Sequence, residues 1–134
     1  MAASDSRPPD RGSEAIDFRH EMISSLRVEG TPVFDAGGTK LGTVHSLMIG
    51  KADGQVRYAV LSFSRSFGFH SRVYPIPWQL LDYNVDLGGY VVEMTKQQLE
   101  AAPSLTLDDT DRPIDREQAE EMTSYWQVMP WWGL

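Results

Sequence analysis

A chain of 134 residues with no cysteine and a net charge of −7 has room for one domain plus tails, without a disulfide framework or thiolate chemistry. The acidic balance excludes a general nucleic-acid binder, which needs many cations to neutralise phosphates. No apolar run approaches the ~20 residues that cross a bilayer, and residues 1–20 lack the apolar core of a secretory signal, so a soluble, cytoplasmic protein is expected.

Residues 1–21 mix Ser, Pro, Asp, Arg and Gly around Ile16 and Phe18, too little apolar surface to offset the entropy of ordering. They read as a flexible N-terminal segment, with a short ordered piece near Ile16 to Met22. Thr31 to Phe34 reads as a first strand, followed by a turn at Asp35-Ala36-Gly37-Gly38, where adjacent glycines accept the positive φ of a hairpin. Leu41 to Ile49 reads as the second strand. Its alternation slips at Leu47-Met48-Ile49, the mark of a bulge or of burial on both faces.

Asp53-Gly54 is the strongest hairpin signal in the chain. It leads into Val56 to Phe63, where Tyr58, Ala59, Val60 and Leu61 are all apolar. Alternation predicts one wet face, and here neither face is polar. The outer face therefore needs a cover, whether a helix, a tail or a second subunit. Ser64 to Ser71 reads as a loop, and Val73 to Ile76 as a short strand. Pro75 and Pro77 cannot donate to a ladder, so this strand lies at an edge or ends there.

Leu80 to Val85 and Tyr90 to Met94 form a further predicted hairpin about Asp86-Leu87-Gly88-Gly89, with Tyr90, Val92 and Met94 on one face. Thr95 caps a short helix over Lys96 to Ala101, and Pro103 ends it. Residues 104–112 read as an acidic connector. A second helix is predicted from Pro113 or Asp115 to about Trp126, with Asp115 and Gln118 at capping-box spacing. The chain closes in a Trp-rich tail, Gln127 to Leu134.

Several of these residues occur in an ordered set: Val33-Phe34-Asp35, Gly38, Leu41-Gly42-Thr43-Val44, Asp53-Gly54, Tyr58-Ala59-Val60-Leu61, Tyr74-Pro75-Ile76-Pro77-Trp78, Leu80-Leu81 and Leu99 to Pro103. The set resembles the PRC-barrel family, named after the cytoplasmic domain of the photosynthetic reaction-centre H subunit. The resemblance implies a mainly β fold, a small antiparallel β-barrel of five to six strands over residues 22–103. A short helix follows the last strand, and residues 113–134 add a C-terminal helix and tail. It also implies a non-enzymatic docking role, with Gly42, Asp53, Gly54, Pro75, Pro77 and Trp78 as structural positions of the motif. No membrane-spanning helix precedes the barrel, as it does in the H subunit, so no proton-relay residue is carried over.

Chemistry-bearing clusters are sparse. His20, His45 and His70 are far apart, without the paired spacing of a metal site. Asp108, Asp109 and Asp111 lack the glycine pivot and closing glutamate of a calcium loop. No Gly-x-Ser-x-Gly elbow is present. No cofactor, metal or catalytic residue is expected.

Two interaction candidates stand out. One is the loop holding Arg65, Phe67, Phe69, His70 and Arg72. The other is the tail with Trp126, Trp131 and Trp132, since exposed aromatics with arginine are enriched at binding hot spots. Residues 40–72 carry five Lys and Arg against Asp53 alone, while residues 73–134 carry eleven acids against three bases. The expected protein is thus a docking module for another protein or assembly. A homodimer is expected from the doubly apolar strand. A reaction-centre-like accessory that tunes proton or electron transfer at a membrane complex is the alternative. Peripheral membrane binding through the basic stretch is the weaker one.

Overall fold

The computed structural model describes residues 21–63 and 72–133. A single helical turn, α1 (Ser25–Val28), precedes strands β1 (Pro32–Phe34), β2 (Lys40–Ile49), β3 (Val56–Phe63), β4 (Arg72–Pro77), β5 (Asp82–Asn84) and β6 (Gly89–Val91). Helix α2 (Lys96–Ala101), strand β7 (Leu105–Thr106) and helix α3 (Arg116–Trp126) complete the chain. The sheet order is β5-β6-β1-β2-β3-β4-β7.

The hairpin signals place their turns correctly. Gly54 takes φ +73 between β2 and β3, a backbone state that glycine adopts without steric cost. Gly42 has another task. A Cβ there would run into the Ser62 carbonyl oxygen and the Phe63 Cα, so only glycine lets β2 and β3 approach so closely. The β2–β3 register shifts between Val44 and Ser46 and again between Met48 and Ile49, and the second shift is the slip visible in the alternation. Pro75 and Pro77 pair with Val60 and Tyr58 on one side of β4. On the other side β7 meets only Arg72 and Val73, so the prolines lie beyond the second ladder and cost it no donor.

The expected closed antiparallel barrel of five to six strands is corrected on three counts. Among the described residues there are seven strands, β1 and β6 run parallel, and the terminal strands β5 and β7 do not pair. Those two edges have three and two residues, too little ladder to hold a seam. The parallel pair joins segments remote in sequence, which hairpin rules do not reach. Val92 N–H donates to the Phe34 carbonyl there at 2.9 Å.

The curled inner face encloses a core drawn from Val33, Leu41, Val44, Ala59, Leu61, Ile76, Tyr90 and Val92, closed by Leu99 of α2. The outer face of β3 and β4 has a second core, in which Tyr58, Val60 and Val73 meet Leu105 and Met122. Both faces of β3 are thus buried. The cover over the outer one is the chain's own β7 and α3, a helix being one of the three covers that the apolar strand called for. Helix α3 is held at its start by the Asp115–Gln118 capping box. The Ile114 N–H ahead of it donates to the Tyr58 Oη at 3.1 Å. Tyr125 Oη donates to the Gln98 carbonyl at 2.6 Å and ties α3 to α2.

A candidate docking groove

Of the interaction candidates read from the sequence, Arg65, Phe67, Phe69 and His70 lie outside the described residues. Arg72 is engaged within the fold: its Nε donates to Ser104 Oγ at 2.8 Å and its Nη2 to the Ser104 carbonyl at 3.1 Å. The tail folds back on the body. Trp131 stacks on Tyr58 with ring centroids 6.0 Å apart, Trp132 meets Trp131 edge-on, and the Arg116 guanidinium sits 4.9 Å from the Trp132 ring centre. Gln79 Nε2 donates to the Met129 carbonyl at 3.4 Å. Trp126 is half-buried against both cores, and its indole N–H is buried without a protein partner. Trp131 thus covers Tyr58 on the outer face of the sheet in cis while staying partly exposed itself.

Among the described residues, the cations of the basic stretch are spread over both ends of the sheet. Lys40 opens β2 and Lys51 follows its far end, roughly 30 Å apart along a strand that rises ~3.3 Å per residue. At the Lys51 end, Arg57 is paired with Asp53. The Asp53 carboxyl is held below the usual carboxylate range by the Gln55 backbone N–H first, and by the Arg57 guanidinium as well.

The exposed apolar surface gathers elsewhere. A groove of about 600 Å³ opens between the segment leading into α1 and the β5–β6 hairpin. Met22 and Ile23 line one wall, Tyr83 and Val85 the other, and Trp78 and Tyr90 lie between them. The rings form a ladder: Trp78 to Tyr90 at 5.5 Å and Tyr83 to Tyr90 at 5.2 Å, both edge-on. Tyr90 is buried and its phenol is pushed above the ordinary range, by desolvation first and by neighbouring Tyr83 second. The walls are wet. Met22 is 66% exposed and Val85 70%.

Local sequence explains each wall. Ser24 caps α1, its side chain accepting from the Leu26 N–H, which turns the chain so that Val28 enters the core while Leu26 stays out. On the other wall Leu81, Tyr83 and Val85 share a face by the period of two. The first is buried and the others project past the sheet edge. Trp78 belongs to the Pro-Ile-Pro-Trp stop that ends β4, and its 3-10 turn (Trp78–Leu80) swings the ring toward Tyr90.

The sequence reading missed Met22, Ile23, Tyr83 and Val85 as a group. The Leu81-Tyr83-Val85 alternation was available as a signal. What brings Met22 opposite Val85 is the parallel β1–β6 pairing.

Chemically, the groove has rings and aliphatic walls with one carboxylate, Glu21, and one guanidinium, Arg27, on its lining. Among the described residues no group of three or more His, Cys, Asp or Glu is placed to hold a metal ion, and no helix is long and apolar enough to cross a membrane.

Comparison with protein families finds one agreement with this architecture: residues 20–99 match the model of the PRC-barrel domain. A search of curated proteins finds no match. The matched region takes in β1 to β6 and most of α2, and with them the groove; β7, α3 and the Trp tail lie beyond it.

Proposed function

The chain belongs to the PRC-barrel domain family, and on that premise we propose that it is a non-catalytic docking module that holds a segment of another protein in the groove between α1 and the β5–β6 hairpin. One observation carries this reading. Of the large apolar side chains left exposed, Met22, Ile23, Tyr83 and Val85 fall in two short stretches that line one groove about the rings of Trp78 and Tyr90. Exposed apolar residues scattered singly need no explanation, whereas a contiguous patch marks a contact surface. The outer face of the sheet, the other large apolar surface, is already filled by α3 and the tail. Edge-on rings under flexible aliphatic walls suit the burial of apolar anchors, the usual centre of a binding hot spot.

The test compares three proteins as bait in an extract of the source cells: the wild type, a Met22→Ser/Val85→Ser double variant and a Trp131→Ala variant. Both groove positions are exposed, so the double variant keeps its fold. A partner held by the wild type, released by the double variant and retained by the Trp131→Ala bait supports the groove. A partner held equally by wild type and groove variant removes it.

A further inference from the structure

We propose that the chain's own N-terminal segment, with Ile16 and Phe18 as its apolar anchors, competes with the docked partner for this groove, an inference that rests on the docking role above. Glu21, Met22 and Ile23 all belong to the groove's lining, so the segment ahead of them is joined directly to one wall. That segment lies outside the described residues, and Ile16 and Phe18 are its large apolar side chains nearest the groove. Phe18 stands four residues before Met22. The reach back from Met22 is at most about 14 Å, long enough to cross a groove of about 600 Å³ and bring the ring to Tyr83 and Val85 on the other wall.

Tethering decides between occupants. A segment on a short linker meets its site at an effective concentration in the millimolar range. A second copy of the chain presents the same apolar groups, but only at the concentration of free protein, and so loses to the segment already attached. Charge does not oppose the contact. The lining has one carboxylate, Glu21, and one guanidinium, Arg27. Phe18 is flanked by Asp17 and Arg19, so the segment brings one charge of each sign to a lining with one of each, and no like-charge excess is built up. The exposed walls at Met22 and Val85 gain apolar cover when the two anchors enter. A partner must displace that cover before it docks, which lowers its apparent affinity by the fraction of time the groove stands open.

The experiment is NMR on the full chain, comparing the wild type with an Ile16→Ser/Phe18→Ser variant. In the wild type, proton contacts from the Phe18 ring to the Val85 methyls and the Tyr83 ring are expected, with intensities independent of protein concentration. The amides of residues 81–90 are expected to differ between the two proteins, while those of β2 and β3 stay in place and report an intact fold. A synthetic peptide of residues 12–20, added at millimolar concentration to the variant, is expected to return the groove amides toward their wild-type positions. The same peptide with serine at both anchors is expected to leave them unmoved. As bait, the variant is expected to retain severalfold more of the partner than the wild type.

Identical groove amides in the two proteins, with no contact from the Phe18 ring, overturn the inference. If the capture still separates the wild type from the Met22→Ser/Val85→Ser protein, the docking reading stands without it. Ring contacts that strengthen as protein concentration rises assign the groove to the segment of a second copy and overturn competition within one chain. Weaker capture by the Ile16→Ser/Phe18→Ser bait also overturns it, because the two side chains would then belong to the partner's own contact surface.

Discussion

The ring of Trp131 lies over that of Tyr58, centroids 6.0 Å apart and planes inclined by 28°, so the far end of the chain covers the outer face of β3. Tyr58 is otherwise buried beneath Met122 and Val60 and accepts the Ile114 N–H. Strand, helix and tail thus form one unit.

Deleting residues 127–134 therefore strips the outer layer without touching the inner core. The stacked pair is worth about 0.5–1.5 kcal/mol beyond its burial, and the lost apolar cover adds to it. A fall in melting temperature of several degrees is expected by calorimetry. An unchanged melting temperature would mean that the tail contributes nothing to the fold.

Met122 tests the same layer from within. It is fully buried at the centre of the outer core, and Met122→Ala leaves a cavity between α3 and β3. A loss of about 2–5 kcal/mol is expected in denaturant unfolding, the range for truncating a buried Met. The loss should be independent of protein concentration, because the cover over β3 is intramolecular. A destabilisation that diminishes as concentration rises would point to a subunit contact in its place.

Much of the sheet and both capped helices were legible in the sequence. Asp53-Gly54, Thr95 with Gln98, and Asp115 with Gln118 are local devices, each complete within a few residues, and each appears where the spacing put it. The doubly apolar run at Tyr58 to Leu61 also correctly announced a covered outer face. What covers it was not legible, because Met122 and Trp131 reach Tyr58 only through the path of the chain. The groove was hidden for the same reason. Met22 and Val85 face each other because Val33 pairs in parallel with Tyr90, a long-range choice that leaves no local pattern. Leu105 and Thr106 looked like part of a connector, since a two-residue strand has no period to detect.

Gly42 gives the most specific backbone test. Its position in β2 is extended and an alanine suits the local conformation, yet its Cβ would press on the Ser62 carbonyl and lie 2.7 Å from the Phe63 Cα. Backbone atoms on the neighbouring strand cannot step aside as a flexible side chain can. Gly42→Ala is expected to cost about 3 kcal/mol, at the upper end of overpacking changes. Gly38→Ala at the β1–β2 turn meets no atom within 4 Å but has φ +89, so its smaller cost is conformational, about 1 kcal/mol. Chemical denaturation of the two variants should rank them in that order, and the reverse ranking would refute the close approach of β2 and β3.

Alkaline pH tests the tyrosines that tie the two cores together. Burial pushes the phenols of Tyr58, Tyr74 and Tyr90 above their ordinary range, in Tyr58 against the opposing donation of the Ile114 N–H. A group whose folded pKa is raised contributes stability that is fully present below the unfolded pKa, about 10 for tyrosine, and is lost as pH rises through the folded value. The neutral phenol is the form the fold prefers. Stability is therefore expected to decline above about pH 10, and phenolate absorbance should develop late and together with unfolding for these three rings. Tyr58→Phe removes the acceptor of the Ile114 N–H and is expected to cost about 1–2 kcal/mol at neutral pH, while shallowing the alkaline decline. If all five tyrosines ionised together near pH 10 with the fold intact, the sealed outer layer described by Tyr58, Met122 and Trp131 would be wrong.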